Sequence, residues 1–108
     1  MVDHFRAEGT TSRAAGHLIT AREAYYRAAT YHRTAEFFLH GNASDPRISA
    51  TWQESRDAFR AALTLDTVPY EIVAIPYGNT TLPGYFHKAD NSRKVRPLLI
   101  IQTGFDGC

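Results

Sequence analysis

Residues Leu98 to Ile101 form an unbroken apolar run that leads into Gly104-Phe105-Asp106-Gly107. A run with no polar alternation suits a strand covered on both faces, as in a parallel sheet packed between helices. A glycine turn at its carboxyl end presents backbone N–H groups where open α/β sheets place their ligands. Donors fixed before a reaction begins can stabilise a developing alkoxide, which is oxyanion-hole chemistry. Gly-x-Asp-Gly is also an ordinary turn, and the four residues alone do not separate the two uses.

Other side chains with chemical potential lie in the amino-terminal half. His32 falls on an apolar helical seam, with Tyr25, Tyr26 and Tyr31 clustered on the same helix. Aromatic packing with a hydroxyl at the rim accounts for the tyrosines, and a satisfied interhelical role accounts for His32. If this helix covers an active site, Tyr25, Tyr31 and His32 are the residues placed to line a substrate pocket. Ser12, Ser44, Ser49, Ser55 and Ser92 all lie outside any Gly-x-Ser-x-Gly turn. The five histidines show no metal-ligand spacing of the His-Glu-x-x-His kind. Cys108, the single cysteine, can form neither an internal disulfide nor a thiolate metal site by itself. No cofactor and no metal are expected from these residue types.

The elements that must position these groups divide into two periods. Over residues 12 to 65 the pattern is helical. Ala14, Ala21, Ala28 and Ala35 recur every seventh residue, and Leu18, Tyr25, His32 and Leu39 follow each by four. Both sets fall on one helix face. The alanines allow close helix approach, while Leu18, Tyr25 and Leu39 are expected to supply buried area. Ser12 is a candidate N-cap and Gly41-Asn42 a stop, a span long enough to leave room for a break. Gly16 inside it weakens the first turns. A second helix begins either at Asp45-Pro46 or at the capping-box pattern Thr51-Trp52-Gln53-Glu54. Its stripe of Ile48, Trp52, Phe59, Ala62 and Leu63 predicts an antiparallel helical hairpin, with Trp52 and Phe59 in the core.

After Pro69 the period becomes that of strands. Tyr70 to Ile75 and Leu82 to His87 read as a hairpin around Gly78-Asn79, residues that accept positive φ. Pro83-Gly84 in the second strand suggests an edge position or a bulge. Pro97 to Thr103 reads as a third, buried strand. The expected class is an incomplete α/β fold, with a helical region over residues 1–66 and the first strands of a sheet core over residues 67–108.

Bulk composition narrows the function classes. At 108 residues, 44% hydrophobic and 21% charged, the chain is globular rather than disordered. Twelve basic and eleven acidic residues leave a net charge of +1, with no basic run, so no nucleic-acid footprint is present. The start shows no basic n-region followed by an apolar core. No apolar run approaches the ~20 residues of a membrane helix. The expectation is a cytoplasmic domain that binds neither nucleic acid nor membrane.

Three segments in order resemble one group of α/β-hydrolases, the relatives of 2,6-dihydroxypseudooxynicotine hydrolase and of the dipeptidyl-aminopeptidase-like esterases. Ala24 to Arg33 followed by Ala35-Glu36-Phe37-Phe38-Leu39 is similar to that group's amino-terminal helical region. Ile75 to Phe86 is similar to its first hairpin, although Gly78-Asn79-Thr80 stands where an acidic residue and a glycine would precede the threonine. Arg96 to Ile101 through Gly104-Phe105-Asp106-Gly107 is similar to its third strand and oxyanion loop.

The resemblance implies a serine hydrolase cleaving an ester, amide or carbon–carbon bond of a small-molecule or peptide substrate. In that setting the backbone N–H of Phe105 donates to the oxyanion, Asp106 shapes the turn, and the helical hairpin forms part of a cap. The nucleophile, acid and histidine of such a fold follow later in the chain. The 108 residues are therefore expected to be an amino-terminal piece, inactive alone, whose partner is the remainder of the hydrolase domain. The alternative is a complete α+β interaction module. It would bind another protein, or a second copy of itself in a homo-oligomer, through the open edge of Leu98–Ile101.

Overall fold

A computed structural model describes residues 2–102. They form three helices and a two-stranded antiparallel sheet, an incomplete α/β arrangement. The chain divides between Asp66 and Thr67 into two compact units.

The first unit contains α1 (Val2–Ala14), α2 (Leu18–Phe37) and α3 (Arg47–Leu63), with α2 packed against both neighbours. The long helix expected from Ser12 is broken, and the residue responsible is Gly16. It adopts φ +79°, while the N–H of His17 bonds back to the carbonyl of Ser12 at 2.8 Å and that of Gly16 to Arg13 at 3.0 Å. This is a Schellman-type stop, which glycine makes without a Cβ penalty. Gly16 therefore ends one helix instead of weakening the interior of another. The chain ahead of it is itself a helix, α1, of which the alanine repeat touches only the last residue, Ala14.

Of the two candidate starts for α3, the first is used. The Asp45 carboxylate accepts the N–H of Arg47 at 2.9 Å and also binds its guanidinium. The Arg47 side chain beside it, with that N–H, pulls the Asp45 pKa down to about 2. Thr51 does not cap a helix; its hydroxyl donates to the Arg47 carbonyl one turn back.

The core consists largely of alanines. Ala21, Ala28 and Ala62 are completely buried, with Ala24, Ala29 and Ala58 close behind. Side chains this small let α2 and α3 approach closely, and the Ser55 hydroxyl reaches across to the Ala29 carbonyl at 2.8 Å. Among the described residues, Leu63 is the one large aliphatic side chain buried here, a contribution on the order of 2 kcal/mol.

Several larger residues assigned to the core lie at its margin. Leu18 is exposed, and Leu39, Ile48, Trp52 and Phe59 are half-buried. Close alanine packing leaves no room for them at the centre. Trp52 instead lies under the Arg56 guanidinium, 5.2 Å from its ring centroid, and Phe59 meets Tyr26 at 5.8 Å.

The second unit contains β1 (Tyr70–Tyr77) and β2 (Thr80–His87), paired in unbroken register from Tyr70↔His87 to Tyr77↔Thr80. The two-residue loop is Gly78-Asn79, with Gly78 at φ +57°. No bulge forms at Pro83-Gly84: Pro83 pairs with Ala74 and Gly84 with Val73. Proline is tolerated because each strand of a two-stranded sheet is an edge.

The strand expected over 97–103 is absent as far as Gln102. Leu98 to Ile101 carry no regular structure and are 72–84% exposed. Such a run becomes a strand only where a neighbour supplies the ladder and layers cover both faces. Among the described residues of this unit, none is buried.

Candidate functional site

The three helical residues expected to line a pocket, Tyr25, Tyr31 and His32, all lie along the seam between α1 and α2. Tyr25 is buried against Gly9, and its hydroxyl shares a 3.3 Å hydrogen bond with that of Thr10. Tyr31 stacks face to face with Phe5, centroids 5.3 Å apart, and remains 41% exposed. The Arg27 guanidinium lies 6.0 Å from the same Phe5 ring. His32 is 8% exposed, and its Nε2 has no hydrogen-bond partner among the described residues. The arrangement thus uses Tyr25 and the ring of Tyr31 to dock α1. Phe105, the fourth expected site residue, lies outside the described residues.

His32 carries an electrostatic signature. Burial pushes its pKa below the ordinary histidine value, Asp3 opposes that shift, and Arg6 adds to it. Arg6 also pairs with Glu54, tying α1 to α3. Because the folded form holds the proton less tightly than the unfolded chain, acid favours unfolding. Stability of the helical unit should therefore fall as pH drops through 6.5. A His32→Leu variant should lose that part of the slope, as read from urea midpoints followed through Trp52 fluorescence between pH 5 and 8. An unchanged slope would show that His32 does not carry it.

A second cluster escaped the pattern of apolar spacing. Glu36 is completely buried, yet it is charged. One carboxylate oxygen takes the Arg33 guanidinium and the other takes Nε2 of His40, both from the same helical face or the turn that follows it. Spacings of three and four residues place all three side chains together, and that is the signal through which they could have been found. At the other end of α2, the Tyr26 hydroxyl donates to Asp66 at 3.3 Å, and Arg22 approaches the same carboxylate.

Asp3, Arg6, Ala7, Thr10 and Thr11 border an open depression of about 420 Å³ on α1. It has the exposure of a surface groove rather than of an enclosed substrate pocket. Among the described residues, no group of three or more histidine, cysteine, aspartate or glutamate side chains is placed to hold a metal ion. No helix among them is long and apolar enough to cross a membrane.

Sequence comparison supplies what the geometry of one seam cannot. The chain is 35% identical to hydrolase acrC of Aspergillus aculeatus, over 94% of its own residues and 27% of that protein. It is 36% identical to 20-hydroxy-prefusarin hydrolase of Gibberella moniliformis, over 77% of this chain and 21% of the relative. An alpha/beta hydrolase, psoB of Aspergillus fumigatus, is 31% identical over 86% of the chain and 22% of its own length. These homologues are hydrolases by name. The chain spans about a quarter of the length of the curated relatives it matches. No family model matches it, and no solved structure matches it with significance.

Proposed function

We propose that the chain is the leading part of a serine α/β-hydrolase, of the branch its three segments resemble. The helical unit over residues 1–66 acts as a cap, and residues 67–108 open the catalytic sheet. The observation that carries this proposal is the coverage: hydrolase homologues match nearly all of the chain with about a quarter of their own length. The remaining part would contribute the nucleophile, acid and histidine. It would also give Leu98–Ile101 the neighbouring strands that they lack here.

In this scheme the N–H of Phe105 donates to the oxyanion formed when the nucleophile attacks a carbonyl. A second donor would come from the residue after the nucleophile. Of the three seam residues proposed to contact substrate, Tyr31 is the most exposed, at 41%, whereas Tyr25 and His32 are buried. The substrate is a small molecule or peptide with an ester, amide or ketone carbonyl.

A fluorophosphonate probe should label the protein that extends through the nucleophile and leave residues 1–108 unlabelled. Phe105→Pro deletes the N–H, and kcat should fall about 10²–10³-fold relative to Phe105→Ala, which retains it. Labelling of the 108-residue chain, or equal activity of the two variants, would overturn the assignment.

A further inference from the structure

The Arg33–Glu36–His40 cluster fixes more than charge. Glu36, being completely buried and bonded to a guanidinium, is a carboxylate that can only accept hydrogen bonds. Nε2 of His40 faces it and must therefore carry the hydrogen. In the neutral ring this leaves Nδ1 as a bare acceptor. A buried carboxylate that selects the tautomer of a partly exposed imidazole is the same physical device that orients a catalytic histidine. Among the described residues, the hydrogen bond His40 makes through its ring is the one at Nε2, and none is made at Nδ1.

The surroundings of that acceptor are aromatic. The His40 ring lies 5.6 Å from Phe37, which meets Phe38 edge to face at 5.9 Å. Phe38 is 79% exposed and Phe37 about half exposed. Consecutive phenylalanines ending a helix with their rings open to solvent forgo burial that the alanine core does not supply. Rings at these separations can take a further planar ring by offset or edge contact.

We infer that the end of α2 is a binding site for a planar apolar molecule bearing a hydroxyl donor, a phenol or an enol. His40 Nδ1 accepts its hydrogen bond, and Phe37 and Phe38 contact its body. Glu36 is a positioning residue that acts through the His40 tautomer. The inference is independent of the hydrolase assignment, because it concerns binding and is measured without turnover.

The test uses the protein with 15N-labelled histidine, titrated with 2-naphthol and, separately, with 2-methoxynaphthalene, which lacks the donor. Long-range 1H–15N correlation should show His40 protonated at Nε2, and 2-naphthol should shift Nδ1 saturably. The methyl ether should bind about 3–10-fold more weakly, the value of one neutral hydrogen bond. Glu36→Gln offers an amide donor to Nε2, so it should move the proton to Nδ1 and abolish the preference for the hydroxyl. His40→Phe changes a partly exposed ring only, and should remove the same preference if Glu36→Gln fails to fold. Phe38→Ala should weaken both probes alike. An Nδ1–H tautomer in the parent protein, equal affinity for the two probes, or no saturation with 2-naphthol would each overturn the proposal.

Discussion

Gly9→Leu should destabilise the helical unit by about 2–3 kcal/mol, although leucine is the better helix former. On an isolated helix, replacing an interior glycine with a residue of high helix propensity gains roughly 0.5–1 kcal/mol. Here the sign reverses because of Tyr25. A Cβ at Gly9 would stand 2.8 Å from both Cδ1 and Cε1 of that ring and 3.1 Å from Cγ. The ring cannot easily move aside, since it is buried and its hydroxyl is bonded to Thr10 on α1. The Trp52 signal in urea would report the loss, because the single tryptophan lies in this unit. In a Tyr25→Ala background the same substitution should become neutral or favourable. That would give a coupling of about 2 kcal/mol between the sites, in the range expected for residues in contact. Additive effects would show that Gly9 is not held by the tyrosine.

Arg33→Ala should cost about 2–4 kcal/mol, whereas Glu36→Leu should be nearly neutral. The asymmetry follows from burial. Arg33 and His40 are each about one-third exposed at the side chain, while Glu36 is sealed. Removing Arg33 leaves a buried carboxylate with only an imidazole to compensate it, and the full desolvation cost appears. Removing Glu36 leaves the Arg33 guanidinium and the His40 imidazole, each about one-third exposed and able to turn to water, and a leucine of similar volume keeps the site filled. The double variant Arg33→Ala, Glu36→Leu should therefore recover most of the stability lost in Arg33→Ala. Urea denaturation of the four proteins decides it. If the double variant were no more stable than Arg33→Ala, the buried charge would not be the origin of the loss.

These two sites also mark where a linear reading stops. The alanine repeat located α2 and its face, since Ala21, Ala28, Tyr25 and His32 are all buried as the seven-residue spacing requires. It did not extend to Ala14, Leu18 or Ala35, which are exposed. A period identifies a face, but how far a partner helix covers that face is settled by where the partner ends. The repeat places alanine, leucine, tyrosine and His32 on that face, and Glu36 lies just beside it. A carboxylate is sequestered only because Arg33 and His40 stand one turn away on either side. Glycine was the other ambiguity. Gly16 and Gly9 look alike in the sequence, yet one ends a helix at positive φ and the other admits an aromatic ring to a helix surface.

For the candidate site, residue type singled out Tyr25, Tyr31 and His32, and the fold buries Tyr25 and His32 while leaving Tyr31 the most open to solvent. Local signals decided what depends on near neighbours in the chain: helices where apolar residues recur on one face, a hairpin where Gly78-Asn79 permits a two-residue loop, the change of period near Pro69. Each rests on interactions spanning a few residues, so the sequence alone carries them. Tertiary structure decided what depends on distant partners: the alanine core that displaces Trp52 and Leu18, the burial of Glu36, and the open state of Leu98–Ile101. Burial and strand pairing are properties of surfaces brought together, and a linear pattern records only the half that each segment contributes.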